Sequence, residues 1–160
     1  MRTKILVLAI LLFAGCRKEC MDKSLQELHC KDGYITVSDT RYINHRPGFG
    51  YPENELVIIN DTATFHDLYQ SHLSENLVDF SFQSIVAINI PVGAGSNVSS
   101  QGCLCYNPDT DWWMFNIEYT ISNQCKGSGI YSMNFTATLI CPKLPNDAQV
   151  EFDVRDINPF

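Results

Sequence analysis

The sequence has few basic residues and no extended basic run. Lys and Arg number 11 against 18 Asp and Glu among 160 residues, so the formal net charge is −7. Proteins that bind nucleic acid hold its phosphates mainly through clustered Lys and Arg. We therefore expect no nucleic acid among the partners of this protein.

Recognisable catalytic and metal-binding motifs are also missing. The four histidines form no His-Glu-x-x-His pair, and no Gly-x-Ser-x-Gly turn for a nucleophile occurs. The Cys103-Leu104-Cys105 segment lacks the spacing of a zinc knuckle and has no histidine nearby in the sequence. We therefore predict no catalytic residue, no metal and no cofactor, with a hydrolase of scattered catalytic residues as the weaker alternative.

No apolar run is long enough to span a membrane as a helix. The N-terminal run covers residues 5–13, nine residues, after a start that carries Arg2 and Lys4. Nine helical residues rise about 14 Å, far less than the hydrocarbon core of about 30 Å. Small residues follow, as at the cleavage site of a secretory signal. Residues 1–15 are therefore predicted to be a signal peptide.

The end of this segment carries a more specific motif. Leu12-Phe13-Ala14-Gly15-Cys16 resembles the lipobox of bacterial lipoproteins. In that family the cysteine thiol receives a diacylglycerol, the peptide is cut before the cysteine, and the new amino group is acylated. The resemblance implies lipidation of Cys16 and anchoring in the bacterial cell envelope, at the outer membrane, on its periplasmic face or the cell surface. A plain secretory signal, with Cys16 as an ordinary cysteine, is the alternative.

The chain contains seven cysteines, and lipidation of Cys16 would leave six in a compartment that permits disulfides. Cys20 and Cys30 lie close together and far from the others, so they form the most economical pair. Cys103 and Cys105 would share one face of a strand, where they are poorly placed to bond each other, so each is expected to reach Cys125 or Cys141. We expect three bridges and no free thiol among Cys20, Cys30, Cys103, Cys105, Cys125 and Cys141.

The rest of the chain divides into a tether, residues 16–33, and a single globular domain, residues 34–160. Phe65, Leu68, Tyr69 and Leu73 fall on one helical face after an Asn-Asp-Thr capping sequence, which predicts one helix at about 61–73. Apolar runs, or apolar residues alternating with polar ones, predict strands at 34–37, 55–59, 84–90, 101–106, 112–121, 131–139 and 150–154.

Proline, glycine and small polar residues mark the connections. Segments 41–54 and 92–102 are predicted to be loops, Pro91 is predicted to end the strand before it, and residues 107–111 are predicted to form a turn. The fold expected from this pattern is of the α+β class and rich in β-structure. It would be an antiparallel sheet or sandwich with one packed helix, stapled by disulfides.

One loop and one tryptophan are the candidate binding residues. Residues 41–51 combine cationic and aromatic side chains, which are typical anchors of protein interfaces. The alternative is a meander whose aromatic residues enter the core. An exposed tryptophan could add an apolar patch for a protein partner or a glycan, unless the helix covers it. The candidates are Arg41, Tyr42, His45, Arg46, Phe49, Tyr51 and Trp112.

A second resemblance covers residues 55–154. Val78-Asp79-Phe80-Ser81, followed by Ser84-Ile85-Val86-Ala87, is similar to the C-terminal domain of PrcB-type proteins, accessory subunits of bacterial protease complexes. Cys141-Pro142-Lys143 before the closing strand is similar as well. The resemblance implies a non-enzymatic accessory protein that binds an envelope protein partner. A surface lipoprotein that binds a glycan or a small ligand is the alternative function.

Overall fold

A computed structural model describes residues 28–45, 53–69, 77–92, 96–123 and 133–157. These residues form eight strands and one helix, in two four-stranded sheets. In chain order the elements are β1 (Ile35–Thr36), β2 (Arg41–His45), β3 (Leu56–Ile59), α1 (Thr62–Tyr69), β4 (Gln83–Val92), β5 (Ser96–Asn107), β6 (Trp112–Asn123), β7 (Met133–Pro142) and β8 (Gln149–Asp156).

Sheet A has the strand order β1-β5-β6-β8, and sheet B has the order β2-β7-β4-β3. All neighbouring strands pair antiparallel except β6 and β8, which are parallel. The two sheets share a core in which Val86 and Ile88 of sheet B meet Leu104 and Phe115 of sheet A. The prediction of a β-rich sandwich with antiparallel sheets is therefore confirmed.

The predicted helix is present and packs on the outer face of sheet B. Asp61 caps α1, because its Oδ1 accepts a hydrogen bond from the backbone N–H of Thr64 at 2.8 Å. Phe65 and Leu68 point to the sheet and contact a second apolar cluster that includes Ile85 and Ile140. The described helix ends at Tyr69, and the predicted positions 70–73 lie outside the described residues.

Pro91 does not end its strand, contrary to the sequence prediction. β4 continues to Val92, and Pro91 lies opposite Asn134 of β7. The carbonyl of Asn89 points to the side of β3, where it accepts a hydrogen bond from the backbone N–H of Asn54. The backbone nitrogen of Pro91, two residues later, points to that same side. The ladder of β3 stops at Ile88. The missing N–H therefore faces an open edge, where proline is tolerated.

Two segments predicted as loops are strands over part of their length. Residues 41–45 form β2, which pairs with β7, and β5 begins at Ser96 inside the predicted loop 92–102. Neither segment has a strong apolar alternation, so pairing with β7 and β6 decides their conformation. The turn predicted at 107–111 is present, closed by a hydrogen bond of 2.9 Å from Asp111 N–H to the Asn107 carbonyl.

No helix among the described ranges has the length and apolar character needed to cross a membrane.

The outer faces of the two sheets are each covered by a short segment. Helix α1 lies on sheet B, and residues 28–34 lie on sheet A, where Leu28 and Tyr34 pack against the buried Met114.

Candidate functional site

Several candidate residues lie outside the part of the chain that the structure describes. The backbone of His45 belongs to β2, but its side chain is not described. The predictions for these positions stay predictions. The residues outside the described ranges are Cys16, Cys20, Arg46, Phe49, Tyr51 and Cys125.

Arg41 and Tyr42 make contacts within the fold. The guanidinium of Arg41 donates a hydrogen bond of 2.6 Å to the carbonyl of Leu77, and so ties β2 to the segment before β4. The Tyr42 hydroxyl donates to Ser100 Oγ at 2.9 Å, and burial raises the pKa of this phenol to about 12. The Tyr42 ring fills the space above Gly102, where an added Cβ would lie 2.7 Å from the ring.

Trp112 stays exposed, and it lies at one end of the sandwich, near the turn between β5 and β6. Its relative exposure is 39%, whereas Trp113 turns inward and stacks on Tyr106 with ring centroids 4.5 Å apart. Ile35 of β1 is 58% exposed and lies opposite Tyr106 of β5. Phe152, 39% exposed, lies on the edge strand β8 opposite Phe115.

A fourth exposed apolar side chain directly precedes β4. Phe82 is 74% exposed, and its carbonyl accepts a hydrogen bond from the N–H of Lys143. We call the end of sheet A at the β5–β6 turn the turn end. Ile35 and Trp112 lie there on opposite faces of the sheet, because Ile35 pairs with Tyr106, which lies opposite Trp113. Ile35, Phe82, Trp112 and Phe152 are all the exposed large hydrophobic side chains among the described residues.

Exposed acidic side chains lie near Trp112. Asp109 and Asp111 are in the β5–β6 turn, and Asp147 and Glu151 are near the start of β8, which pairs with Trp112. The ammonium of Lys143 is bound within the fold, because it donates to the carbonyls of Asn60 and Phe80. The exposed cation Lys31 lies over the ring of Tyr34.

A groove of about 600 Å³ lies beside helix α1, lined by residues 60–62 and 78–81. Its two carboxylates take part in local structure. Asp61 caps the helix, and Asp79 Oδ1 accepts a hydrogen bond of 2.9 Å from the N–H of Ser81. These contacts explain the carboxylates as parts of a cap and a turn, so the groove by itself points to no ligand.

The cysteine pairing differs from the sequence prediction. Cys30 is bonded to Cys105, with 5.8 Å between their Cα atoms, so the predicted Cys20–Cys30 pair is wrong. Cys103 and Cys141 are free and buried, so the prediction of no free thiol is wrong as well. The reason is tertiary: β1 pairs with β5, and Thr36 lies opposite Cys105, which brings the nearby Cys30 to that strand.

Three sulfur atoms meet on the outer face of sheet A. The Sγ atoms of Cys30, Cys103 and Cys105 all lie within 4.8 Å of one another, and those of Cys103 and Cys105 are 3.9 Å apart. Cys103 and Cys105 share a face, as predicted, and are not bonded to each other. The Asn116 amide donates to the sulfur of Cys105 at 3.3 Å. We call Cys30, Cys103 and Cys105 the sulfur cluster.

Cys141 occupies a different environment, the apolar core between the sheets. It is fully buried, and its thiol donates a hydrogen bond of 3.6 Å to the carbonyl of Ser84. Burial raises the pKa of this thiol to about 12. Cys141 therefore acts as a small core residue, and it is far less reactive than an exposed thiol would be.

The two histidines whose side chains are described, His29 and His66, are exposed. No protein-family model, no curated protein and no solved structure matches the chain. Function is therefore inferred from the exposed apolar side chains and from the sulfur cluster. Sequence reasoning identified Trp112 but missed Ile35, Phe82 and Phe152, because exposure at the end of a sheet leaves no periodic signal.

Proposed function

We propose that the protein is a lipid-anchored lipoprotein of the bacterial outer membrane. In this proposal the sandwich binds another envelope protein and has no catalytic activity of its own. The observation that carries the binding role is the exposure of four large apolar side chains, Ile35, Phe82, Trp112 and Phe152. The anchor would be the lipid on Cys16.

The cysteine chemistry supports a location outside the cytoplasm. Disulfides form and persist in oxidising compartments, and Cys30 is bonded to Cys105. Cys30 follows Cys16 by fourteen residues, which reach at most about 50 Å when fully extended. A lipid on Cys16 would therefore hold the sandwich close to the membrane, where its partners would be other proteins of the envelope.

The turn end has the composition of a protein-binding surface. Interfaces place apolar and aromatic side chains at the centre of the contact and polar groups around it. Here Trp112 supplies an exposed aromatic side chain, and Asp109 and Asp111 of the neighbouring turn supply charged groups beside it. Since potentials are complementary across an interface, the partner should carry basic residues around an apolar patch.

The anchor is tested by replacing the lipidated cysteine. Cys16→Ser should move the protein from the membrane pellet to the soluble envelope fraction and abolish labelling by radioactive palmitate. Cys20→Ser, which changes a thiol in the same segment, is the matched control and should leave both properties unchanged. Membrane partition and labelling that persist in Cys16→Ser would refute the lipoprotein proposal.

The binding role is tested by photo-cross-linking in intact cells. A photoreactive phenylalanine analogue at Trp112 or Ile35 should capture the same envelope protein, and the charged Phe82→Asp change should weaken both cross-links. The control places the analogue at Ser99, an exposed residue of β5 toward the opposite end of the strand. Equal capture from Ser99, or no stoichiometric partner from Trp112 and Ile35, would contradict the proposal.

A further inference from the structure

The side chains of Cys103 and Cys105 converge more than their strand requires. Residues two positions apart in a strand are separated by about 6.6 Å along the backbone. The two sulfur atoms are nevertheless only 3.9 Å apart. Cys30 brings a third sulfur to the same place, and all three lie within 4.8 Å of one another.

This spacing is the one that two thiolates adopt on a single metal ion. At a metal–sulfur distance of about 2.3 Å, bond angles between tetrahedral and trigonal place two ligand sulfurs about 3.8–4.0 Å apart. The Cys103–Cys105 separation falls in this range. Once the Cys30–Cys105 bond is reduced, Cys30 can supply the third thiolate from the covering segment.

The surroundings of Cys103 and Cys105 are soft and buried, whereas Cys30 is half-buried and its Sγ lies 3.2 Å from Thr36 Oγ1. Met114 lies directly opposite Cys105 on β6, is 7% exposed and packs with Cys103 and Cys105 in one cluster. Among the described residues, the three ligand atoms brought together here are all cysteine sulfurs, with no histidine or carboxylate in the group. Thiolate and thioether sulfur favour soft cations such as Cu(I) over hard ones.

An outer contact of the kind found around metal centres is also in place. The Asn116 amide donates a hydrogen bond to Cys105 Sγ at 3.3 Å, and Asn116 is itself buried. Donors of this kind orient ligand sulfurs and stabilise their negative charge. The sequence prediction of no metal considered the Cys103–Cys105 pair without Cys30, since nothing in the sequence places Cys30 beside it.

We propose that Cys30, Cys103 and Cys105 bind one Cu(I) ion when the protein is reduced, and that the Cys30–Cys105 disulfide is the closed, metal-free form. A dithiol opens the site: its two thiols become a disulfide as the Cys30–Cys105 bond becomes two thiols. Cu(I) then replaces the protons of the three thiols, and copper neither gains nor loses an electron.

The experiment uses the full chain in detergent. The chain is reduced with a phosphine, and the phosphine is then removed under argon. Titration with Cu(I) against a chromophoric Cu(I) chelator should show one ion retained per chain, and X-ray absorption should show three sulfur neighbours. Cys103→Ser leaves both disulfide partners in place and should lower the affinity by more than about 100-fold, beyond the loss usual for outer-shell changes.

Cys125→Ser and Cys141→Ala are the controls for non-specific thiol binding, and both should retain the ion. The oxidised wild-type chain should bind less than a tenth as much Cu(I). Unchanged affinity in Cys103→Ser, or equal losses in all three variants, would overturn the site. Zn(II) held as tightly as Cu(I) by the reduced chain would overturn the assignment of the cation. None of these outcomes depends on the anchor or the protein partner.

Discussion

The outer faces of the two sheets are covered in different ways. Sheet B presents apolar side chains such as Ile85 and Ile140, and helix α1 covers them with Phe65 and Leu68. Sheet A presents a buried sulfur cluster beside Met114, and a short segment without a helix or long strand covers it. The cover of sheet B is held by apolar contacts and by hydrogen bonds to Asn60 at the start of the helix, whereas the cover of sheet A also has a covalent bond.

The length of the two covers explains the difference. Two turns of helix bring several apolar side chains to one face, and their burial contributes most of the stabilisation of such a helix. Residues 28–34 bury only Leu28, Cys30 and Tyr34 against this face, and each only in part. The Cys30–Cys105 bond fixes this segment to β5, and it joins residues that are 75 positions apart in the sequence.

The largest effect is expected where a large apolar side chain is buried beneath the helical cover. Phe65→Ala should lower the free energy of unfolding by about 3–5 kcal/mol, because it leaves a cavity between α1 and sheet B. Urea denaturation measures the loss. Phe82→Ala removes the same ring from an exposed position and should change stability by less than about 0.5 kcal/mol. Similar losses in the two variants would contradict the packing described for α1.

A smaller loss is expected when the covalent attachment of sheet A is removed. Cys30→Ser should lower the free energy of unfolding by about 2–4 kcal/mol, because the unfolded chain regains the freedom of the open loop. Thermal unfolding of the oxidised protein measures it, with Cys20→Ser as the control. A wild-type unfolding temperature for Cys30→Ser would show that the bond does not hold the cover.

The two free thiols among the described residues lie in different environments, Cys103 on the outer face of sheet A and Cys141 in the core between the sheets. At pH 8 the folded, oxidised protein should be alkylated at Cys103 at least about tenfold faster than at Cys141, whose raised pKa of about 12 leaves little thiolate. Mass spectrometry of digested samples over time gives both rates. Cys30→Ser should accelerate only the reaction of Cys103. Faster alkylation of Cys141 than of Cys103 would contradict their assigned environments.

The smallest effect concerns the cap of α1. Hydrogen bonds from the backbone and hydroxyl of Thr64 lower the pKa of Asp61 below its usual 3.8. A lowered folded pKa means that this contribution to stability is complete above pH 3.8 and is lost as the pH falls through the folded value. Denaturation of wild type and Asp61→Asn between pH 2 and 6 should therefore converge at the acid end. A constant difference over this range would contradict the cap.

Local pattern was enough to predict much of the fold. The period-two alternation around Trp113, Phe115 and Ile117 predicted β6 and the face that packs into the shared core. This alternation is set by the local geometry of a strand and needs no information about distant residues. The helix start at Asp61 was predictable for the same reason. The strand at 41–45 was not, because it depends on pairing with β7.

The candidate sites show the same limit. Trp112 could be chosen from the sequence, but the exposure of Ile35 and Phe82 could not, because it depends on where each sheet ends. The sulfur cluster joins Cys30 to residues more than 70 positions away. Proximity in sequence favoured Cys20 as the partner of Cys30, and the pairing of β1 with β5 favoured Cys105 instead.

The sequence by itself determined the strand-rich composition, the position of the one described helix and the alternation of side chains along β6. These properties follow from side-chain spacing along a short stretch of chain. Only the tertiary structure decided which cysteines meet, which strand faces are covered and which apolar side chains stay exposed. Such contacts depend on how strands that are remote in sequence pair and on where each sheet ends, and no local spacing encodes either.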